Sequence, residues 1–412
     1  MKLSAWLQLQ RGIKTLYAHP LIAATPLWRK LNPQARYVAI TGSAGKTTTK
    51  DLLVTALGGG PHAIGNDNSN NQPYGIARTM LRVRPWTRIV VQEFGASEPG
   101  GIARMARQFS HGVAVVLNVG NDHRSAFGGE DGIALEKGVL VETLPADGLA
   151  LLNADDARVM AMASRTKARV ITFGLASGDV RGRLIAAPWP SGVVVEVTAG
   201  NESVVIRTGL IAEHFALNVV AAVATAWALG TKLQDIVPRL ADSTTLLGRA
   251  TLQHLPGGVV FVRDDWKAPA WTLDQSLRIL DRAKGTGQRY LVLGTLSDYG
   301  GDSRRAYRRA IAAGLTVAET VMLIGERASV MQAFAASHPG RVVSFATVRE
   351  AADALAACVR PGDVVLLKGS NKADHLARIA LRIQGRDVRC WQERCGRIKF
   401  CDDCAFVGRS SA

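Results

Sequence analysis

A chain of 412 residues that is 47% hydrophobic and 20% charged has a globular composition, not a disordered or fibrous one, and its length implies two or three domains. A formal net charge of +16 points to anionic partners such as nucleotides or acidic peptides. The basic residues are scattered, with one small cluster at Arg304, Arg305, Arg308 and Arg309 and no aromatic ladder, so no nucleic-acid partner is expected.

In chain order, residues 1–36 read as an N-terminal helical extension broken near Pro20 and Pro26. Trp6, Leu7, Leu9, Ile13 and Leu16 fall on one face, which either packs on the main domain or touches a membrane as a basic amphipathic helix. No secretory signal stands out. The most apolar stretch, Phe215 to Gly230, carries Asn218 and Thr225 and is too short and polar to span a bilayer. A cytoplasmic location is expected.

Next, YVAITG is a short apolar run ending in a glycine turn, followed by helix-compatible TTTKDLLVTAL. RIVVQEFG, HGVAVVLNVG, GLALLNADD and ARVITFG are further buried-strand candidates. Apolar runs alternating with helical stretches predict an α/β fold with a mostly parallel sheet, and place functional groups at the carboxyl ends of its strands. SGVVVEVTAG and SVVIRTG read as an antiparallel hairpin, and a helix around Leu217 to Leu229 closes this domain. VVFVRDD, RYLVLGTL, TVMLIG and DVVLLKGS predict a second, smaller, Rossmann-like α/β domain. The expected boundaries are 1–36, 37–246 for a central P-loop domain, 247–385 for the C-terminal domain, and 386–412 for a cysteine-rich tail.

The strongest chemical signal is Gly42, Ser43, Ala44, Gly45, Lys46, Thr47 and Thr48, a shortened phosphate-binding loop between a predicted strand and a predicted helix. Glycines let backbone N–H groups turn toward phosphate oxygens, Lys46 neutralises charge, Thr47 can hold magnesium, and the helix N-terminus adds a favourable dipole. Glu93, at the end of a buried-type strand, either completes a magnesium shell or caps a helix. His123 sits just past a strand end and Lys137 in a helix-compatible stretch. Alone, each is more often structural.

The ordered series TGSAGKTTTK, NDNSNNQPYG, EFGASEPGGIA, LNVGNDHRSAFGGEDGIALEKG and LPADGLALLNADD resembles the Mur ligase family, nearest its D-alanyl-D-alanine-adding branch. The resemblance continues through EHFALNVVAAVATAWALG, LLGRATLQ, VRDDWKAPAWTLDQSL, LVLGTLSDYG and VVLLKGS, from about Tyr37 to Arg382. It implies an ATP- and Mg2+-dependent ligase that releases ADP. A substrate carboxylate attacks the γ-phosphate, and an amine then displaces phosphate from the acyl phosphate.

The same resemblance implies roles. Lys46 and the loop amides hold phosphates; Thr47 and Glu93 hold a first magnesium and His123 a second. Lys137 matches a lysine that many members carry as a carbamate. Asn218 matches a nucleotide-contacting asparagine. Arg249, Asp265 and Lys267 match residues that close over ATP and the acyl phosphate, with Lys267 catalytic. Asn68, Asn70 and Asn71 match a substrate-facing loop. Two departures stand out: Phe215 replaces an asparagine, and DDWKAPAW lacks the usual Tyr-Asn-Ala-Asn-Pro run. Only about 36 residues precede the loop strand, so the expected carboxylate is an anionic peptide, amino acid or cofactor precursor and not a UDP-muramyl peptide.

Cys390, Cys395, Cys401 and Cys404 crowd into the tail and predict one tetrahedral zinc, with a redox role or inert thiols as alternatives. The alternative functions are an amidating subunit that takes ammonia from a partner amidotransferase, and a P-loop regulator that hydrolyses ATP without ligation. A partner protein or a homo-oligomer is compatible with either.

Overall fold

The computed structural model describes residues 18–283, 287–325, 328, 331–393, 397 and 399–408. Trp6, Leu7, Leu9, Ile13, Leu16 and Cys395 lie outside these, and so does the choice between packing and membrane contact for the first helix. The chain divides into two compact units. One comprises residues 1–187, 193–209 and 213–243, the other residues 188–192, 210–212 and 244–412.

The first unit is built on a nine-stranded sheet in the order β2-β3-β1-β4-β5-β6-β7-β8-β9. Its strands are β1 (Arg36–Thr41), β2 (Ala63–Gly65), β3 (Ile89–Glu93), β4 (Val113–Val116), β5 (Leu149–Asn153), β6 (Arg169–Gly174), β7 (Val180–Ala186), β8 (Val194–Ala199) and β9 (Glu202–Arg207). β1 to β7 pair in parallel, and β8 and β9 add antiparallel, the expected hairpin. Strands such as β4, buried at every position, are apolar without alternation because both faces of a parallel sheet are covered.

β1 lies between β3 and β4, and the chain leaves it toward one side and later resumes on the other. That topological switch opens a crevice at the carboxyl end of β1. The Phe215–Ala228 helix is apolar except for Asn218 and Thr225 and buried over most of its length, which fits a helix inside a large core. A helix over 18–30 sets Ile22 and Trp28 against the core, and the Trp28 indole donates to the Val83 carbonyl at 3.2 Å.

The second unit carries a six-stranded sheet in the order β10-β11-β15-β12-β13-β14. Its strands are β10 (Thr251–His254), β11 (Val260–Asp264), β12 (Arg289–Leu293), β13 (Thr320–Ile324), β14 (Val342–Phe345) and β15 (Val364–Lys368). Only the β10–β11 pair is antiparallel. Four of these strands correspond to the predicted apolar runs; β10 and β14 lie at the two edges. The tail segment packs on the same unit: Val388, Cys401 and Val407 join Ala377 and Leu381 in one small apolar cluster. No described helix is long and apolar enough to cross a membrane.

Candidate active site

The loop after β1 has the backbone that its glycines allow. Gly42 and Gly45 have φ of 156° and 81°, and the Gly45 value is a left-handed conformation that other residues adopt only with strain. A Cβ on Gly45 would stand 2.2 Å from Asn218 Nδ2. Asn118, two residues beyond β4, braces the loop from the other side: its Oδ1 accepts from Ser43 N and Ala44 N, both at 2.9 Å. The Lys46–Ala56 helix starts directly after Gly45, so its free N–H groups and dipole face the crevice. Lys46 Nζ donates to the Gly42 carbonyl.

Thr47 and Glu93 meet. The Thr47 hydroxyl donates to Glu93 Oε2 at 2.7 Å, and both side chains are buried. The other carboxylate oxygen, Oε1, accepts from Asn71 Nδ2 at 2.8 Å. Asn66 Oδ1 fixes the strand end by accepting from Glu93 N at 2.9 Å. Asn71 thus faces the carboxylate, while Asn68 and Asn70 are exposed on the same loop. Buried Lys50 holds that loop through the carbonyls of Asn66 and Asn68.

Asn218 Nδ2 donates to Gly45 O at 3.2 Å and Thr49 Oγ1 at 2.9 Å. Buried there, the side chain braces the turn of the loop.

His123 is half-buried at a φ of 52°, just beyond Asp122. The Asp122 carboxylate accepts from Ser43 Oγ and pairs with Lys137 Nζ at 3.2 Å. Burial pushes the Asp122 carboxyl up, but the Lys137 and Lys46 ammoniums, together with the Ser43 and Lys137 hydrogen bonds, outweigh it and hold the carboxyl below its ordinary value. Burial and the nearby Lys46 charge push Lys137 down to about 8, against the pull of Asp122 and Glu136. Asn121 Oδ1, in the same loop, is a buried acceptor without a partner among the described residues. Glu136 caps the Gly101–Phe109 helix, accepting from Ile102 N at 2.7 Å and Gly100 N at 2.8 Å.

Hard oxygens suit magnesium, and the Thr47 hydroxyl beside the Glu93 carboxylate is such a donor pair. Asn66, Asn118, Asp122 and Glu136 were not singled out from sequence. Their partners lie between 15 and 79 residues away along the chain, and an isolated Asn or Asp carries no local signal of that.

In the second unit, Arg249 is half-buried and Lys267 exposed. Asp265, expected at the nucleotide, is fully buried with both oxygens on Arg263, at 2.9 and 3.0 Å. Its neighbour Asp264 points the other way, accepting from Lys368 Nζ and Ser276 Oγ, each at 2.6 Å. Successive side chains at a strand end face opposite sides, so these adjacent aspartates do different work.

In the tail, Cys390 and Cys404 are half-buried and Cys401 is buried. Cys401 Sγ lies 3.7 Å from His375 Nδ1 and Cys404 Sγ lies 3.8 Å from Arg397 Nη1. Among the described residues no three His, Cys, Asp or Glu side chains gather as a metal-binding group. The expected zinc therefore stands on the spacing of the cysteines alone.

A parallel sheet with a phosphate-binding loop at its switch point, and an acid–hydroxyl pair beside the loop, define a P-loop nucleotide-binding α/β protein. The family model of the Mur ligase middle domain matches residues 40–226, and that of the Mur ligase, glutamate ligase domain matches residues 248–371. Over 393 residues the chain is 30% identical to the UDP-N-acetylmuramoyl-tripeptide–D-alanyl-D-alanine ligase of Mycobacterium tuberculosis, spanning 88% of this chain and 74% of that one. The Escherichia coli ligase of the same name is 27% identical over 307 residues, 73% of this chain and 67% of the other. A crystal structure of MurF from Acinetobacter baumannii has a TM-score of 0.81 at 25% identity, covering 89% of this chain and 80% of its own. MurF ligase from Thermotoga maritima in complex with ADP shares the fold, with a TM-score of 0.74 at 24% identity over 89% and 83%. The chain belongs to the Mur ligase family, and it is by class an ATP-dependent, ADP-forming acid–amino-acid ligase.

Proposed function

We propose that the chain joins a peptide-like carboxylate to an amine, with Gly42 to Thr48 holding the phosphates of ATP. The observation that carries this reading is the contact of Thr47 with Glu93 at the foot of the loop. It brings together two hard oxygen donors beside a helix N-terminus. Magnesium, when bound, supplies positive charge that offsets the phosphate oxygens. Lys46 does the same from the protein side. The substrate carboxylate oxygen attacks the γ-phosphorus and ADP leaves. The amine nitrogen then attacks the acyl carbon, the C–O bond to phosphate breaks, and the nitrogen loses a proton. His123 is assigned to a second magnesium. Arg249 and Lys267 are assigned to phosphate charge.

Asn218 acts on the nucleotide through the loop it braces. Asp265, sealed against Arg263, has its proposed role through the segment it anchors. The carbamate at Lys137 draws support from its depressed pKa of about 8, because carbon dioxide adds to a neutral amine, forming an N–C bond and releasing a proton.

The relatives' names make UDP-N-acetylmuramoyl-tripeptide with D-alanyl-D-alanine the first substrate pair to test. The number of residues before the loop strand carries no weight against that pair. Mass spectrometry should find a product lighter by one water than the summed substrates. With the carboxylate labelled in 18O, one label should appear in phosphate. Unlabelled phosphate accompanying a true amide product would contradict the acyl phosphate step. Acidic peptides, amino acids and ammonia complete the panel.

A further inference from the structure

The segment over 399–404 lies beyond the matched family models, which end at residue 371, yet it is built into the platform that carries Arg249 and Lys267. The guanidinium of Arg263, fully buried, uses all five of its N–H donors. Nε and Nη2 go to Asp265, Nη1 and Nη2 to Asp402 at 3.1 and 3.2 Å, and Nη1 also to Gln253 at 3.1 Å. Two of these five bonds, and the second counter-charge, come from the tail.

Phe400 sits where Gly248 leaves room. A Cβ on Gly248 would fall 2.2 Å from the Phe400 ring, and that ring also lies 4.9 Å from Trp266 and 5.3 Å from the Arg263 guanidinium. The loop segments of the platform are tied to one another: Trp266 N donates to Gly248 O at 3.0 Å, and Asn371 N to Trp266 O at 3.3 Å. Asn371 Nδ2 donates onward to Lys399 O at 3.4 Å. The residues flanking Arg249 and Lys267 on the chain, Gly248 and Trp266, therefore have a tail side chain as their packing partner.

We propose that Asp402 and Phe400 are positioning residues for the ligase reaction, setting the backbone that presents Arg249 and Lys267. This rests on the ligase reading above. Removing Asp402 leaves a buried guanidinium short of acceptors, and the Arg263–Asp265 pair is then held from outside by Gln253 alone, without a second counter-charge. Misplacing a charge-neutralising group by about 1 Å can cost the rate about a hundredfold.

The test compares Asp402→Asn and Phe400→Ala with the unsubstituted chain, using Asp387→Asn, in an exposed ion pair with Arg389, as a control. Hydrogen exchange should quicken at the amides of 248–249 and 264–267 in both variants and stay unchanged at 42–48. With the substrate pair that drives ADP release, kcat should fall by about tenfold or more, and KM for ATP should move by less than about threefold. Unaltered exchange in those segments would overturn the proposal, and so would a lowered melting temperature with kcat per folded molecule unchanged. If the wild-type chain releases no ADP with any pair, the ligase reading fails, and the exchange measurement alone then decides whether the tail sets this backbone.

Discussion

Thr47, one residue into the loop helix, donates its hydroxyl hydrogen to Glu93 Oε2 across 2.7 Å, and Asn71 occupies the other oxygen of that carboxylate. One carboxylate, through two short contacts, thus joins the phosphate-binding loop, the end of the adjacent strand and the Asn68 to Asn71 loop. Glu93→Gln keeps the shape and removes the charge. Its ADP release should drop about a hundredfold, with partial recovery at high magnesium. Thr47→Ser should retain most activity and Thr47→Val little. Equal activity of the serine and valine variants would exclude a role for the hydroxyl.

Gly45 and Asn218 form a second coupled pair. Gly45→Ala meets a left-handed backbone, costing about 1–2 kcal/mol, and drives its Cβ into Asn218 Nδ2. ATP affinity should fall by about tenfold or more. Adding Asn218→Ala relieves the overlap, so the double variant should bind better than the sum of the two single losses predicts. Strict additivity in calorimetric titration would show that the contact is not tight.

Lys137 is the test of the carbamate. Lys137→Ala should lose nearly all activity and regain part of it with added short carboxylates such as formate or acetate. An alanine variant with wild-type activity would remove the carbamate from the account.

His111 sets a pH dependence of stability. It is buried, its Nε2–H donates to Leu140 O at 2.8 Å, and its Nδ1 has no partner among the described residues. Burial lowers its pKa from 6.5 to about 4, and Arg29 adds to that while the Leu140 bond opposes it. The unfolded chain takes up the proton near 6.5 and the folded chain only near about 4. The contribution is complete above pH 6.5 and drains as pH falls toward 4, by about 3 kcal/mol in all. Denaturant titrations of the wild type and His111→Phe at several pH values measure it. Parallel curves for the two proteins between pH 6.5 and 4 would contradict the assignment.

The tail zinc has a direct measurement. Elemental analysis of the intact chain should find about one zinc if Cys390, Cys395, Cys401 and Cys404 bind it, and removal of residues 386–412 should release it. The same metal content with and without the tail would exclude the site.

The strand–loop–helix around Gly42 to Thr48 was legible because its signal is local: an apolar run, glycines, then helix formers. Most core strands of both sheets were legible for the same reason, being short runs of mainly apolar residues. β14 was missed because an edge strand with three of its four residues only half-buried gives no such run, and β2 is three residues long. At the site, residue type and family order pointed to Thr47, Glu93 and Lys137. They could not distinguish Asp264 from Asp265, since that depends on which side of a pleat each falls. Nor could they show that Asp402 completes Arg263 across 139 residues, a partnership that exists only in the folded chain.

The most direct test of the central claim is ADP and phosphate release from ATP and magnesium, with carboxylate and amine supplied separately and together and Lys46→Ala as control. The account predicts release that requires both substrates, yields an amide in equal amount and vanishes in the control. Release that is indifferent to every carboxylate–amine pair, with no amide formed, would contradict it and favour a nucleotide-hydrolysing regulator.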